Sequence, residues 1–262
     1  MSNQPEITIK TTSTQSLVEE IALLRAQLRR EQEARIEAET ELLMVDLAQV
    51  NGDPPPSRMA MIIGLAKLAE SRDDETGTHL SRIRQYTSII ADAFATKHPR
   101  LLPLGEVSII SASSMLHDIG KVGIADDVLL HSGVFNETQF TAMKRHPNIG
   151  ADILLALAEE LGSDPWIDTS IQIALSHHER WDGTGYPFGL SGEGINLPAR
   201  IVAVADVYDA ITSARVYKKA MTHEKAIKII KKDAGTHFDP KVVNAFLSVE
   251  NEIQNAKNHL SH

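Results

Sequence analysis

The chain of 262 residues contains no cysteine. Thiolates are the usual ligands of structural zinc, so this absence excludes a zinc finger and leaves histidine, carboxylate and water as ligands for any bound metal. Aromatic residues are also scarce, at 5% of the sequence. By contrast with cysteine and the aromatic residues, histidine is well represented, and its 11 copies require a chemical explanation.

Long apolar runs and an excess of positive charge are absent too. No segment approaches the roughly 18 apolar residues of a membrane span, and the opening stretch MSNQPEITIK lacks the features of a signal peptide. We therefore expect no membrane span and a cytoplasmic location. The formal net charge of -9 argues against duplex nucleic acid as the main partner, although a small anion could still bind in a locally cationic pocket.

The amino-terminal part predicts a stalk that precedes the main domain. Residues 1–15 are polar and predict a disordered tail, whereas residues 16–50 are rich in Ala, Leu, Glu and Arg without Gly or Pro, which favours a continuous helix. The prolines of NGDPPPS at 51–57 end that helix, so residues 16–57 form a helical stalk and Pro-rich linker. The stalk either pairs with a second copy or packs on its own domain. Its apolar seam includes Leu17, Ile21, Leu24 and Leu28.

The main domain is predicted to span residues 58–256, with residues 257–262 as a short tail. From residue 58 to about residue 250, apolar residues recur at intervals of three and four, which is typical of amphipathic helices. Asn136 and Gln139 have the spacing of a helix capping box. No convincing series of alternating strands is present, so the predicted fold class is all-α.

Histidines and acids lie close together at several points of these helical patterns. Any one of them has an ordinary explanation, such as a hydrogen-bonded core histidine, an i,i+4 side-chain pair or a solvated acidic face. Together they favour a metal centre, because burying so many ionisable groups among apolar helices without a metal would be costly. The members are Glu75 with His79, His117 with Asp118, His146, His177 with His178, and Asp206 with Asp209.

Adjacent residues in these patterns indicate more than one ion. Neighbouring residues of a helix point about 100° apart, so an adjacent pair is poorly placed to chelate a single ion. We expect His117 with Asp118, and His177 with His178, each to serve two ions that lie side by side. A pair of metals is the arrangement that activates water for attack on a phosphoester.

Five segments together resemble the HD-GYP subgroup of the HD-superfamily phosphohydrolases. The resemblance covers roughly residues 58–250 and implies an all-α HD-type helical bundle. It further implies two or three divalent ions, with iron or manganese expected, and hydrolysis of the bacterial messenger cyclic di-GMP to pGpG and then to GMP. The segments are ETGTHLSRIRQY at 75–86, HDIGK at 117–121, HPNIG at 146–150, HHERWDGTGYP at 177–187 and DVYDAITSARVYKKA at 206–220.

The resemblance also implies roles for individual residues. Asp118 and Lys121 are the implied catalytic residues, Asp118 as the bridge between ions and Lys121 as a cation that stabilises charge on the phosphate. The implied substrate contacts are Lys121, Tyr186, Asp209, Arg215 and Lys218, although Arg215 and Lys218 could instead be a surface charge cluster. The implied metal ligands are Glu75, His79, His117, Asp118, His146, His177, His178 and Asp206, with Glu75 and His79 associated with a third ion.

Several questions stay open from the sequence. The glycine-rich segment around residues 183–194 is either a mobile flap or a rigid connector. The alternatives to a cyclic di-GMP phosphodiesterase are a non-catalytic module that binds cyclic di-GMP or a protein, and a phosphohydrolase of the same fold acting on another cyclic dinucleotide. A homodimer through the amino-terminal helix is expected, with an upstream sensor or receiver protein as a further partner.

Overall fold

The computed structural model describes residues 56–72, 78–213 and 220–260, together with the single position 27. The chain divides into two compact units, Met1–Leu42 and Leu43–His262, and all elements below belong to the second unit. The predicted tail and stalk therefore fall almost entirely outside the described residues, and so do Glu75, Arg215 and Lys218. The domain boundary predicted at residues 51–57 stays a prediction.

The described residues form α-helices and short 3-10 helices, which confirms the predicted all-α class. They contain no β-strand, only an isolated bridge between Ala234 and Phe238. Of the helices in this part of the chain, none has the length and apolar character required to cross a membrane. The α-helices are α1 Pro56–Glu70, α2 His79–Lys97, α3 Val107–Ser113, α4 Asp126–Leu129, α5 Glu137–Met143, α6 His146–Leu161, α7 Pro165–Ser176, α8 Leu197–Thr212, α9 His223–Lys232, α10 Pro240–Ser248 and α11 Glu250–Leu260. The 3-10 helices are Leu104–Glu106, Ser114–Leu116, Ile119–Gly123 and Gly192–Gly194.

Local sequence signals account for several helix starts. Asn136 caps α5 in the predicted capping box, because its side chain accepts from the Gln139 backbone N–H while the Gln139 side chain accepts from the Asn136 backbone N–H. Asp164 caps α7 and Asp239 caps α10, and a proline follows each cap. The last helix, α11, runs to Leu260 and so extends beyond the domain end predicted at residue 256.

Two predicted helices end earlier than their hydrophobic patterns indicated. Apolar residues keep a helical spacing through residues 104–120, but α3 ends at Ser113 and a 3-10 helix follows to Leu116. The Ser114 hydroxyl donates to the Ser111 carbonyl at 2.7 Å, a local bond of the kind that competes with regular helix geometry. Likewise α7 ends at Ser176, one residue before the two histidines. The HD and HH pairs therefore lie in turns.

Two main apolar clusters fix the position of these turns. The larger packs α2 against α8 and α10, with the Tyr208 ring 5.2 Å from Tyr86 and 5.6 Å from Phe246 between centroids. The second joins α1 to residues on either side of the HD pair, Leu116 and Ile119, both of which are buried. Burial of these flanking residues anchors the turn that carries His117 and Asp118.

Candidate metal centre

The fold brings all described members of the predicted ligand set into two adjoining groups. Within each group, the potential ligand atoms lie within 4.8 Å of one another. Glu75 lies outside the described residues, so its predicted role stays a prediction. The first group is Asp118, His146, His177 and His178, and the second is His79, His117 and Asp206.

The Asp118 carboxylate stands between the two groups. Its Oδ1 is 3.2 Å from His146 Nε2 and 3.5 Å from His177 Nε2, both in the first group. Its Oδ2 is 3.3 Å from Nε2 of His117, which belongs to the second group. One carboxylate oxygen therefore faces each group, as a bridging ligand requires.

Backbone carbonyls fix the orientation of three imidazole rings. Nδ1 of His117 lies 2.9 Å from the Ser114 carbonyl, and Nδ1 of His146 lies 2.8 Å from the Met143 carbonyl. The His177 Nδ1 contacts the carbonyls of the last turn of α7 at 3.1 Å. Because a carbonyl only accepts, each Nδ1 is the donor, and in the neutral ring the Nε2 lone pair then points into the centre.

This orientation fits a bound cation. Nε2 of His146 and Nε2 of His177 are 3.5 Å apart and both face Asp118 Oδ1, so lone pairs face lone pairs with no proton between them. Nε2 of His117 is buried without a hydrogen-bond partner. Imidazole and carboxylate donors without sulfur suit iron, manganese, zinc and nickel, so the donor set leaves the choice among these metals open.

The electrostatics of the centre favour neutral rings at His177 and His178, a charged Asp118 carboxylate and positive charge at His117. Burial lowers the pKa of His177, and burial with the adjacent histidines lowers that of His178 well below its ordinary value. Although burial opposes it, the Lys121 ammonium holds the pKa of Asp118 well below its usual range. Burial would also lower the pKa of His117, but the Asp118 carboxylate outweighs it and raises that pKa to about 9. The second group thus attracts positive charge, as a cation site does.

The structure differs from the expectation that each adjacent pair serves two ions. His117 and Asp118 do fall in different groups, but His177 and His178 belong to the same one, with ring centroids 4.0 Å apart. Neighbouring residues point about 100° apart only inside a helix, and these two histidines follow the end of α7. The turn lets the backbone direct both rings to one side.

Asp209 is placed differently from the substrate contact that the resemblance implied. It is 1% exposed, and its Oδ2 lies 2.8 Å from His79 Nδ1. Arg82 donates from Nε to Asp209 Oδ1 at 2.6 Å and from Nη2 to Oδ2 at 2.9 Å. The carboxylate is therefore enclosed by Arg82 and His79 and orients the His79 ring.

Arg82 is a site residue that the sequence reasoning missed. It follows His79 by three residues on α2, so the two side chains share one face of the helix. That spacing could have identified it as a neighbour of the centre. Glu70 was missed as well, and it lines a small cavity together with His79, His117 and Lys121.

Lys121 stands beside the bridging carboxylate. Its Nζ is 2.9 Å from Asp118 Oδ2, and its backbone belongs to the 3-10 helix Ile119–Gly123. Gly120 allows this turn to pack tightly, because a Cβ there would lie 1.9 Å from the His146 carbonyl oxygen. The HD turn and the start of α6 therefore approach as closely as the backbone permits.

The loop after His177 and His178 covers one side of the centre. The Tyr186 ring stacks on His178 with centroids 4.8 Å apart and an interplanar angle of 26°. Burial, with the Asp118 and Asp206 carboxylates, raises the pKa of the Tyr186 phenol, so the hydroxyl stays protonated and can donate. This position is consistent with the substrate contact predicted for Tyr186.

Several hydrogen bonds hold this loop in place. Glu179 is buried, and its carboxylate accepts from the backbone N–H groups of Phe188 at 2.8 Å and Leu190 at 3.0 Å. The Trp181 and Asp182 backbone N–H groups donate to the carbonyls of residues 237 and 236. These contacts favour the rigid connector over the mobile flap. The sequence analysis gave Glu179 no role, although it directly follows the two histidines.

Comparison with protein-family models finds the HD domain over residues 64–242 of this chain. A "Cyclic di-GMP phosphodiesterase" from Vibrio cholerae is 45% identical over 216 residues, which is 82% of this chain and 44% of that protein. The "Cyclic di-GMP phosphodiesterase response regulator RpfG" from Xanthomonas campestris is 43% identical, covering 70% of this chain and 46% of its own length. The "3'3'-cGAMP-specific phosphodiesterase 2" of Vibrio cholerae is 34% identical, covering 78% of this chain and 36% of its own length. The chain thus spans less than half the length of these curated relatives.

Proposed function

The chain belongs to the HD domain family and carries the HD-GYP motifs, and from this premise we propose that it is a metal-dependent phosphodiesterase that hydrolyses cyclic di-GMP to pGpG, GMP or both. The observation that carries the proposal is the Asp118 carboxylate between two histidine groups, with one oxygen toward each. Relatives named as cyclic di-GMP phosphodiesterases, at 40 to 45% identity, support the choice of substrate.

The residues of the centre divide the work of holding ions and holding substrate. His146, His177 and His178 would hold one divalent ion and His117 and Asp206 the other, with Asp118 between them. Such a pair supplies an activated water and neutralises charge on the phosphate. His79, together with Glu75, is proposed for a third ion.

Lys121 and Tyr186 are proposed to contact the scissile phosphodiester. The Lys121 ammonium lies beside Asp118 Oδ2 and can donate a hydrogen bond to a non-bridging phosphate oxygen, where negative charge accumulates during attack. The protonated Tyr186 hydroxyl can donate as well. Arg215 and Lys218 remain proposed ligand contacts.

Product analysis tests the proposal directly. Purified protein loaded with iron or manganese is incubated with cyclic di-GMP, and pGpG and GMP are quantified by chromatography. We expect turnover by the wild type and its loss, by at least about a thousandfold, in His117→Ala and Asp118→Ala. The circular dichroism of both variants should remain helical. Full activity in either folded variant would refute the assignment of the centre.

A second candidate substrate follows from one relative. The Vibrio cholerae protein named for 3'3'-cGAMP is 34% identical to this chain, so the same reaction run with that nucleotide is the informative comparison. Turnover of 3'3'-cGAMP alone would replace cyclic di-GMP as the substrate. Binding of cyclic di-GMP without product would instead favour the non-catalytic module.

We propose iron or manganese as the ions, because the resemblance to the HD-GYP subgroup implies these metals and the imidazole and carboxylate donors present can bind them. Elemental analysis of protein purified without added metal tests this choice.

The expected homodimer, the sensor or receiver partner and the cytoplasmic location also remain proposals. Light scattering with and without residues 1–50 tests the homodimer, co-purification from cells tests the partner, and cell fractionation tests the location.

A further inference from the structure

A lysine is held between two aromatic rings at the edge of the metal centre. Lys144 Nζ lies 4.4 Å from the centroid of the Phe140 ring and 5.4 Å from that of the Tyr186 ring. The Lys144 backbone N–H donates to the Phe140 carbonyl at the end of α5, so the two residues share a helix face. Cation–π attraction to both rings restricts an otherwise flexible side chain.

This arrangement is continuous with the first metal-binding group. Tyr186 contacts Lys144 on one side and stacks on the ligand His178 on the other, with ring centroids 4.8 Å apart. The Phe140 ring packs edge to face on Tyr186, with centroids 6.4 Å apart. Phe140 is 46% exposed, so the side of Tyr186 that faces Lys144 and Phe140 is open to solvent. A ligand in the centre can therefore extend over Tyr186 toward Lys144.

The charge at Lys144 is not neutralised locally. Among the residues that the structure describes, no carboxylate forms an ion pair with it, whereas Lys121 pairs with Asp118 and Lys241 with Glu193. On a chain with a net charge of -9, a held cation without a counter-ion beside an anion-binding centre indicates a contact for a second negative group.

We propose that Lys144 binds the second phosphate of a cyclic dinucleotide, the one that is not being cleaved, and that Phe140 and Tyr186 position its ammonium. This inference rests on the proposed function and adds a determinant of specificity to it. A cyclic dinucleotide carries two phosphodiesters one nucleoside apart, so the second phosphate projects away from the ions holding the first. An ammonium is a compact donor that suits a phosphate oxygen.

Steady-state kinetics on two substrates tests the proposal. Cyclic di-GMP has a second phosphate, whereas bis(p-nitrophenyl) phosphate is a single phosphodiester without one. Lys144→Met keeps the apolar stem on Phe140 and removes the charge, and we expect it to raise KM for cyclic di-GMP about tenfold or more. We expect kcat for cyclic di-GMP to change little in this variant. Its kinetics on the aryl diester should match those of the wild type. Lys144→Arg should retain most of the affinity, and Lys228→Met on an exposed part of α9 is the matched charge control.

The aromatic positioning is tested by a double-mutant cycle. Phe140→Leu should also raise KM for cyclic di-GMP, but less than Lys144→Met, and the double variant should be no worse than Lys144→Met because both act through the same ammonium. Additive effects would contradict a positioning role for Phe140. Raising the ionic strength should raise KM more for the wild type than for Lys144→Met.

Three other results would each overturn the inference. An unchanged KM for cyclic di-GMP in Lys144→Met would overturn the inference while leaving the proposed function intact. Equal losses on both substrates would also overturn it, because the effect would then lie in the metal centre. Wild-type hydrolysis of the aryl diester without turnover of cyclic di-GMP would overturn the proposed function and this inference together.

Discussion

At the scale of single residues, the metal centre is held by atoms that would bind no metal. Backbone carbonyls orient His117, His146 and His177 through Nδ1, and the Asp209 carboxylate does the same for His79. Such partners set the ring orientation and the tautomer, so they contribute to metal affinity without touching the ion. Arg82 in turn fixes Asp209 with two hydrogen bonds.

Replacing Asp209 by asparagine should therefore weaken metal binding. The amide carries no charge, so it no longer stabilises the His79 ring or balances Arg82, and we expect metal affinity to fall about ten- to hundredfold. Competition with a chelating dye measures this change independently of activity. Ser213→Ala is the control, since the Ser213 hydroxyl contacts the same carboxylate at 3.3 Å without touching His79. Equal metal affinity in the wild type and Asp209→Asn would contradict the orienting role.

Two glycines offer a matched test of close packing. Gly120→Ala puts a Cβ against the His146 backbone, and we expect it to cost about 3 kcal/mol or more in the free energy of unfolding. Gly64→Ala, in the middle of α1, meets nothing within 4 Å and should add about 0.5 to 1 kcal/mol because alanine favours a helix. Urea unfolding of both variants measures the difference. Similar effects at the two positions would mean that the Gly120 contact is not critical.

At the scale of secondary structure, the proposed metal ligands lie where helices begin and end. His79 and His146 open α2 and α6, and His177 follows the last residue of α7. Pro147 favours the start of α6 at this point of the sequence. The sequence could not predict that His177 and His178 share one group, because ring direction beyond a helix end depends on turn angles that periodicity does not encode.

Glu179 links the turn after α7 to the loop that carries Tyr186. In Glu179→Gln, one of the two loop N–H groups faces an amide N–H instead of a carboxylate oxygen. We therefore expect the free energy of unfolding to fall by about 1 to 3 kcal/mol. We also expect a lower kcat/KM on cyclic di-GMP, because the loop that carries Tyr186 shifts. Urea unfolding and steady-state kinetics give the two readouts. Glu193→Gln is the control, since that carboxylate is exposed and pairs only with Lys241 among described residues. If both variants matched the wild type, Glu179 would have no structural role in the loop.

At the scale of the whole molecule, the helical class followed from hydrophobic periodicity, whereas the tertiary contacts did not. Spacings of three and four residues predict amphipathic helices but not which helices pack together. The packing of α2 on α8, which encloses Asp209, could therefore not be predicted from the sequence. The same limit hid the pairing of Lys144 with Tyr186, two residues far apart in the chain. Motif resemblance indicated the proposed ligands, and only the fold identified the residues that orient them.

Stability of the folded chain should depend on pH through a histidine outside the metal centre. Burial, with the nearby Arg180 guanidinium, lowers the pKa of His237 from 6.5 to about 4, and its ring stacks on Phe238 at 4.1 Å. Between these values the unfolded chain binds a proton that the folded chain does not. This contribution to stability is therefore complete above pH 6.5 and is lost as the pH falls toward 4.

Replacing His237 by glutamine should remove this part of the pH dependence. Because the ring is partly exposed, we expect the contribution to be about 1 to 2 kcal/mol, less than the full shift would give. Urea unfolding of the wild type and His237→Gln at pH 7.5 and about pH 4.5 measures it as a smaller loss of stability in the variant. His131→Gln, at an exposed ring, should lose as much stability as the wild type. Since metal release on acidification affects all three proteins alike, an identical loss in His237→Gln would show that His237 does not titrate with folding.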